Sequence, residues 1–265
     1  MANLLANKIN IYYEVHGQGK PLVLVAGFTC DHTFWSSVVD ELSKKYQVLV
    51  FDNRGIGQTQ APNDSFTVET MADDTMALIK QLGLHKPIIV GQSMGSGIAQ
   101  VIGKKYPQEV EKLILINTFT HLLKVPELAF ISTGELQQLN IPISYRVKSI
   151  APWVFSNEFL SQPNQVENLI KLAEENRYPQ TIDGYQGQLR ALEQFDSRSW
   201  LPQVVLPTLI IAAAEDLIAP VAGAKEVNTL LGTVARFVLI SGGHASPIEQ
   251  PKAVIDAITA FAGAA

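Results

Sequence analysis

Six short apolar runs, most of them followed by a stretch of helical periodicity, constrain this chain more than any other feature. They are "PLVLVAG" (residues 21–27), "YQVLVFD" (46–52), "KPIIVG" (86–91), "VEKLILIN" (110–117), "LPTLIIAAAED" (206–216) and "ARFVLISGGH" (235–244). A strand that is apolar at nearly every position must be covered on both faces, and helices between the runs supply that cover. The pattern predicts an α/β fold: a mostly parallel sheet with helices on both faces, joined by right-handed crossovers. In one of those helices, "TVETMADDTMALIKQLG", Val68, Met71, Thr75, Leu78 and Leu82 share a face and Gly83 supplies the stop. Near the start, "KINIYYEV" (8–15) alternates as a strand and "HGQGK" turns it, which predicts a hairpin with "PLVLVAG".

The rhythm breaks between about Thr118 and Arg198, where helical segments are separated by "IPIS", "APWVFS", "SQPN" and "RYPQT". The expectation is a core domain of residues 1–118 and 199–265 interrupted by a helical lid, 119–198. A chain of 265 residues suffices for such a core. With a net charge of -5 and no basic block, nucleic acid is not an expected partner. The single cysteine, Cys30, forms no internal disulfide, and "MANLLANKINIYYEV" lacks the basic start and long apolar run of a secretory signal. A cytoplasmic protein without membrane insertion is expected, since no apolar run approaches the roughly 20 residues of a spanning helix.

In a parallel α/β sheet, ligands gather beyond the carboxyl ends of the strands. Three residues with nucleophilic chemistry stand at such ends. Ser93 follows "KPIIVG" within "VGQSMGSG", Asp216 follows "LIIAAAE", and His244 follows "RFVLISGG". A serine hydroxyl attacks only when an imidazole accepts its proton, and a carboxylate holds that imidazole in the useful tautomer. Gly91 and Gly95 permit the tight strand-to-helix turn around Ser93. Each residue also has a plain structural reading: Ser93 as a helix-capping hydroxyl, Asp216 as a cap, His244 as a loop histidine. Glu215 is an alternative orienter of the imidazole.

An oxyanion needs two N–H donors. Met94, next after the serine, supplies one, and the loop "VAGFTCDHTFW" supplies the other, with Phe28 as candidate. Phe28 then walls the pocket. Cys30 and His32 lack the ligand count of a metal site, and Cys30 as nucleophile has no strand-turn-helix frame. "FDNRGIGQT" has neither G-x-G-x-x-G nor a P-loop lysine, so it reads as a turn tied by Asp52 and Arg54 and bent at Gly55 and Gly57. Within the lid, Phe119, Phe130, Tyr145, Trp153 and Phe155 are candidates to line an apolar slot.

Taken together, "LVAGFTCDHTFW", "VLVFDNRGIGQT", "VGQSMGSGIAQ", "LIIAAAEDLIAP" and "GGHASPIEQP" resemble the α/β-hydrolase superfamily over nearly the full chain. The similarity is to its lid-bearing group of small carboxylesterases, enol-lactone hydrolases, cofactor-free haloperoxidases and carbon-carbon bond hydrolases. The resemblance implies an eight-stranded sheet, Ser93 as nucleophile, Asp216 as acid, His244 as base, and the backbone N–H groups of Phe28 and Met94 as oxyanion donors. It implies no cofactor and no metal. The sequence departs from the common pattern at Ala26 and Gln92, where many relatives have histidine.

The activity so implied is serine-dependent hydrolysis of a small or medium ester or lactone, largely uncharged. No Arg or Lys occurs between Lys20 and Ser43, and the lid carries only scattered cations at Lys124, Arg146, Lys148, Lys171, Arg177, Arg190 and Arg198. The alternatives are carbon-carbon bond hydrolysis of a vinylogous diketone acid, with Arg146 or Arg190 as clamp, perhydrolysis on the same serine, and a hydrolase-like ligand receptor.

Overall fold

The apolar runs form the centre of a single sheet. The computed structural model describes residues 2–59, 61, 65–139 and 141–263. Its eight strands are β1 (Ala2–Ala6), β2 (Ile9–His16), β3 (Lys20–Val25), β4 (Tyr46–Phe51), β5 (Ile88–Gln92), β6 (Lys112–Ile116), β7 (Thr208–Ala213) and β8 (Ala235–Ile240). They lie in the order β1-β2-β4-β3-β5-β6-β7-β8. From β4 through β8 every pairing is parallel, while β1 and β2 run antiparallel at one edge.

The expected hairpin between residues 8–15 and 21–27 is not formed. β2 pairs instead with β1 and β4, and β4 stands between β2 and β3. The reason lies in burial: Leu22 to Val25 are all inaccessible and need a neighbour on each side, whereas β2 mixes buried and half-exposed positions. The actual hairpin is β1 to β2, turned at Asn7 (φ 45) and Lys8 (φ 67), both left-handed as a two-residue hairpin turn requires. Strand β1 itself was not expected, because "ANLLA" is short and does not alternate.

Helices α1 (Ser36–Leu42), α2 (Val68–Gln81) and α3 (Met94–Lys105) connect the first half of the sheet. Thr67 caps α2, accepting from the Thr70 N–H while Thr70 Oγ1 accepts from the Thr67 N–H. Between β6 and β7 lies a large helical insertion: α4 (Lys124–Gln138), α5 (Ile143–Val154), α6 (Asn157–Leu160), α7 (Gln165–Glu175) and α8 (Ile182–Gln194). A bridge between His121 and Asp196 closes its base. The chain then adds α9 (Val221–Leu231), α10 (Ser246–Glu249) and α11 (Pro251–Ala262).

Each central strand feeds two cores. In β5, Ile89 faces a cluster built with α2, α3 and α9, while Ile88 and Val90 face one built with α1 and α11. Helix cover on both faces leaves the carboxyl edge as the place where loops converge, and the insertion roofs that edge. Among the described residues no helix is long and apolar enough to cross a membrane.

Candidate active site

Strand β5 ends at Gln92 and α3 begins at Met94, so one residue must make the whole turn. Ser93 does so at φ 55, ψ -120, a conformation that costs a non-glycine residue strain and is held only by surrounding contacts. The turn requires close backbone passage. A Cβ at Gly91 would meet the Gly95 carbonyl oxygen at 2.0 Å, and one at Gly95 would meet the Val25 carbonyl oxygen at 2.1 Å.

The turn lifts Ser93 Oγ to 2.8 Å from His244 Nε2. On the other side of the ring, His244 Nδ1 lies 2.8 Å from Asp216 Oδ2. A carboxylate only accepts, so Nδ1 carries the proton and Nε2 is free to accept one from the serine. Asp216 is held by more than the histidine. Its Oδ1 accepts from the Ile218 and Ala219 N–H groups, both at 2.8 Å, and its Oδ2 from Asn117 Nδ2 at 2.6 Å. Ser93, Asp216 and His244 are 5%, 4% and 7% exposed, so the whole chain of bonds is shielded from bulk water. Glu215 is exposed, and its backbone N–H bonds the Gly242 carbonyl.

Asn117 is a residue that sequence reasoning missed, although it stands at the end of β6 where the same strand-end logic applies. Its φ of 52 aims Nδ2 at Asp216, and its Oδ1 accepts from Ser246 Oγ at 2.6 Å. Gln92 fixes the histidine loop by donating to the His244 carbonyl at 2.9 Å.

The loop after β3 brings the Phe28 N–H to this edge. Neither it nor the Met94 N–H, in the first turn of α3, donates to a backbone acceptor among the described residues. Beside Phe28, Thr29 is left-handed at φ 61, unusual for a β-branched residue. Two side chains hold this loop. Asn53 Nδ2 donates to the Ala26 carbonyl at 2.9 Å, and Gln188 Oε1, on α8, accepts from the Thr29 N–H at 3.1 Å. Gln188 Nε2 donates in turn to the Arg54 carbonyl at 2.9 Å. Nothing in the sequence separates Gln188 from its neighbour Gln186. The turn after β4 is tied as its residues suggest, with Arg54 forked onto Asp74 at 2.8 and 2.7 Å and Asp52 accepting from the Gln58 N–H.

A cavity of about 380 Å³ opens over Ser93 and His244 under the helical insertion. Of the lid candidates, Phe130 and Phe155 line it. Three expected pocket residues lie elsewhere. Phe119 is buried edge-on against Phe195, Trp153 packs on the main core, and Tyr145 is 62% exposed. Helical period explains the two on α5: Ile143, Val147, Ile150 and Val154 form its cavity face, Tyr145 points away from it, and Trp153 stands at its margin. The Phe28 ring does wall the pocket, packing 4.9 Å from Phe130 and 4.8 Å from Tyr185.

Cys30 also lines the cavity, yet burial, with Asp31 nearby, pushes its thiol up to about 12. A thiol so protonated is a poor nucleophile. Among the described residues, Asp31, His32 and Asp52 are the one cluster with metal-ligand types. Several of its acceptor atoms are already engaged: Asp52 Oδ1 takes the His32 backbone N–H and Nδ1, and Asp31 Oδ1 takes the Thr33 N–H and hydroxyl. Burial opposes the His32 charge, but the bond and charge of Asp52, with Asp31 and Glu14, outweigh it and raise the His32 pKa.

A family model described as alpha/beta hydrolase fold matches residues 20–251. A RutD protein of Caulobacter sp. (strain K31), whose name gives carbamate hydrolysis as a provisional activity, is 25% identical over 95% of each chain. Among solved structures, a thermophilic esterase from Thermogutta terrifontis is 27% identical, with a TM-score of 0.85 over 98% of this chain and 97% of that one. The enol-lactonase from Burkholderia xenovorans LB400 shares the fold at a TM-score of 0.88, with 22% identity over 99% of this chain and 100% of that one.

Proposed function

The chain belongs to the alpha/beta hydrolase fold family, and on that premise we propose that it hydrolyses small to medium carboxylic esters or lactones through an acyl-enzyme on Ser93. The observation that carries this reading is the unbroken hydrogen-bonded chain from Ser93 Oγ through His244 to Asp216, 2.8 Å at each step. As Ser93 Oγ attacks the carbonyl carbon, His244 Nε2 takes its proton, and Asp216 stabilises the imidazolium so formed. The carbonyl oxygen gains the negative charge, which the Phe28 and Met94 N–H groups receive. Collapse of the tetrahedral adduct expels the alcohol, protonated by His244. Water, deprotonated by the same histidine, then attacks the acyl carbon and releases the acid and Ser93.

Residues 119–198 act in this reading as a lid that selects the substrate, on a core of 1–118 and 199–265. The described helices α4 to α8 fall inside that span, which supports the division. A cytoplasmic site of action fits the single cysteine, Cys30, which needs no oxidising compartment.

The test is a parallel panel of aryl esters from acetate to octanoate, neutral lactones and vinylogous diketone acids, run with the wild type and Ser93→Ala, with and without a chelator. Ester or lactone turnover is expected at least about 100-fold above the diketone acids, roughly 2.7 kcal/mol of transition-state binding. It should survive chelation and fall by roughly 10⁴-fold or more in Ser93→Ala. Normal turnover in that variant, or the reverse substrate ranking, overturns the reading.

A further inference from the structure

The lid's cations do not all behave alike. Lys124, Lys148, Lys171, Arg177, Arg190 and Arg198 are exposed, and three of them pair with neighbouring carboxylates, Lys124 with Glu127, Lys171 with Glu175 and Arg198 with Asp196. Arg146 is the half-buried one, and it lines the cavity over Ser93. Its side chain has neither an ion pair nor a hydrogen bond among the described residues. Among the described residues no aspartate or glutamate lines that cavity. A guanidinium on a cavity wall whose donors no protein group takes is free to grip an anion through its fork.

Several neutral polar groups of the same wall donate to protein acceptors. Thr133 Oγ1 donates to the Ala129 carbonyl, Gln137 Nε2 to the Gln180 carbonyl, and Gln180 Nε2 to the Gly55 carbonyl and Gln188 Oε1. Arg146 lines the same cavity as Ser93 and His244. Its charge acts on the Tyr185 phenol, opposing the rise that burial causes there, and the Tyr185 ring packs on Phe28 of the oxyanion loop. Phenylalanines at the floor and an arginine in the roof match a molecule that is apolar around its ester and anionic at its far end.

Resting on the ester and lactone reading, we propose that the natural substrate carries a carboxylate remote from the scissile carbonyl, and that Arg146 binds it. The sequence, with no cation near the oxyanion loop, pointed to a largely uncharged substrate. Burial changes that expectation, because it sets one of seven scattered lid cations apart from the rest.

The carboxylate could sit on the acyl or the alcohol side, so the experiment has two arms. One compares aryl hydrogen succinate, glutarate and adipate with their terminal amides. The other compares acetate esters of ω-hydroxy acids with the corresponding amides. Each is run at pH 7 with the wild type, Arg146→Met and Arg146→Lys. In at least one arm the wild type should prefer the acid over its amide by about 10-fold or more in kcat/KM. That ratio should drop to about one in Arg146→Met and keep an intermediate value in Arg146→Lys, whose point charge lacks the guanidinium fork. Acid-to-amide ratios near or below one in both arms overturn the proposal, as does a preference that persists in Arg146→Met. Failure of the parent reading looks different: acids and amides alike would then show no turnover dependent on Ser93.

Discussion

The carboxyl edge of the sheet and the helical lid above it are built by opposite rules. At the edge, Ser93, Asp216 and His244 are almost inaccessible, and Asp216 alone accepts four hydrogen bonds. In the lid, α6 and α7 bury no residue and α5 buries only Ala151. The contrast teaches where each task resides. The proposed proton-transfer groups are over-determined by the sheet, whereas much of the far cavity wall sits on α5 and α7, helices that bury little and tolerate replacement and motion.

The largest expected effect breaks the well-held region. Asp216→Asn keeps the shape of the side chain but replaces the oxygen that receives the His244 Nδ1 proton with a competing donor. It should lower kcat by roughly 10⁴-fold while the melting temperature stays near that of the wild type. A kcat loss under tenfold would mean that the buried dyad does not serve the reaction.

Gln188→Ala probes the point where lid and edge meet. It frees the left-handed Thr29 beside the proposed oxyanion donor, so kcat should fall about tenfold with KM within about threefold, less than the 10² to 10³ of losing a donor outright. Gln188→Glu keeps the acceptor for the Thr29 N–H but loses the donor to the Arg54 carbonyl, so it should recover part of the kcat loss while lowering stability. Equal defects in both variants would assign Gln188 to packing alone.

Within the lid, Phe155→Ala should change the octanoate-to-acetate ratio of kcat/KM by roughly fivefold, about 1 kcal/mol of lost apolar contact. Trp153→Ala should leave the ratio within about twofold and lower stability by about 1–3 kcal/mol, as truncation of a half-buried packing residue does. Two-ester kinetics with a thermal melt separate them, and a ratio change confined to Trp153→Ala would reverse the placement.

The smallest effect concerns stability against pH. The folded protein raises the His32 pKa above its ordinary 6.5, so the bond to Asp52 stabilises fully below that value and is lost as pH rises through the folded pKa. Urea unfolding should therefore show wild type exceeding His32→Gln at pH 6 by more than at pH 9. A constant difference would remove His32 from the titrating groups.

The same contrast explains what was legible in the sequence. Ser93, Asp216 and His244 each follow an apolar run that sheet packing fixes, so chain order alone brings them to one edge, where the structure joins them by hydrogen bonds. Asn117 obeys that rule too and could have been found. The hairpin partner of β2 was not legible, because Asn7-Lys8 is a weak turn signal and pairing with β4 is a long-range choice. In the lid, a weakly buried helix does not announce its inward face, so Trp153 and Phe155, two residues apart, carried equal claims until packing separated them. Gln188 was invisible, since its partners come from Thr29 and Arg54, far away in the chain.

The central claim is that the sheet edge carries a covalent acyl-transfer centre at Ser93, whatever the lid admits. Intact-mass spectrometry of protein quenched during turnover of an aryl butanoate, followed by peptide mapping, tests it most directly. One acyl group on the peptide containing Ser93, absent in Ser93→Ala and accumulating further when deacylation is slowed, is the predicted result. An adduct on Cys30, or turnover of the ester with no adduct on Ser93 under any quench, would contradict the account.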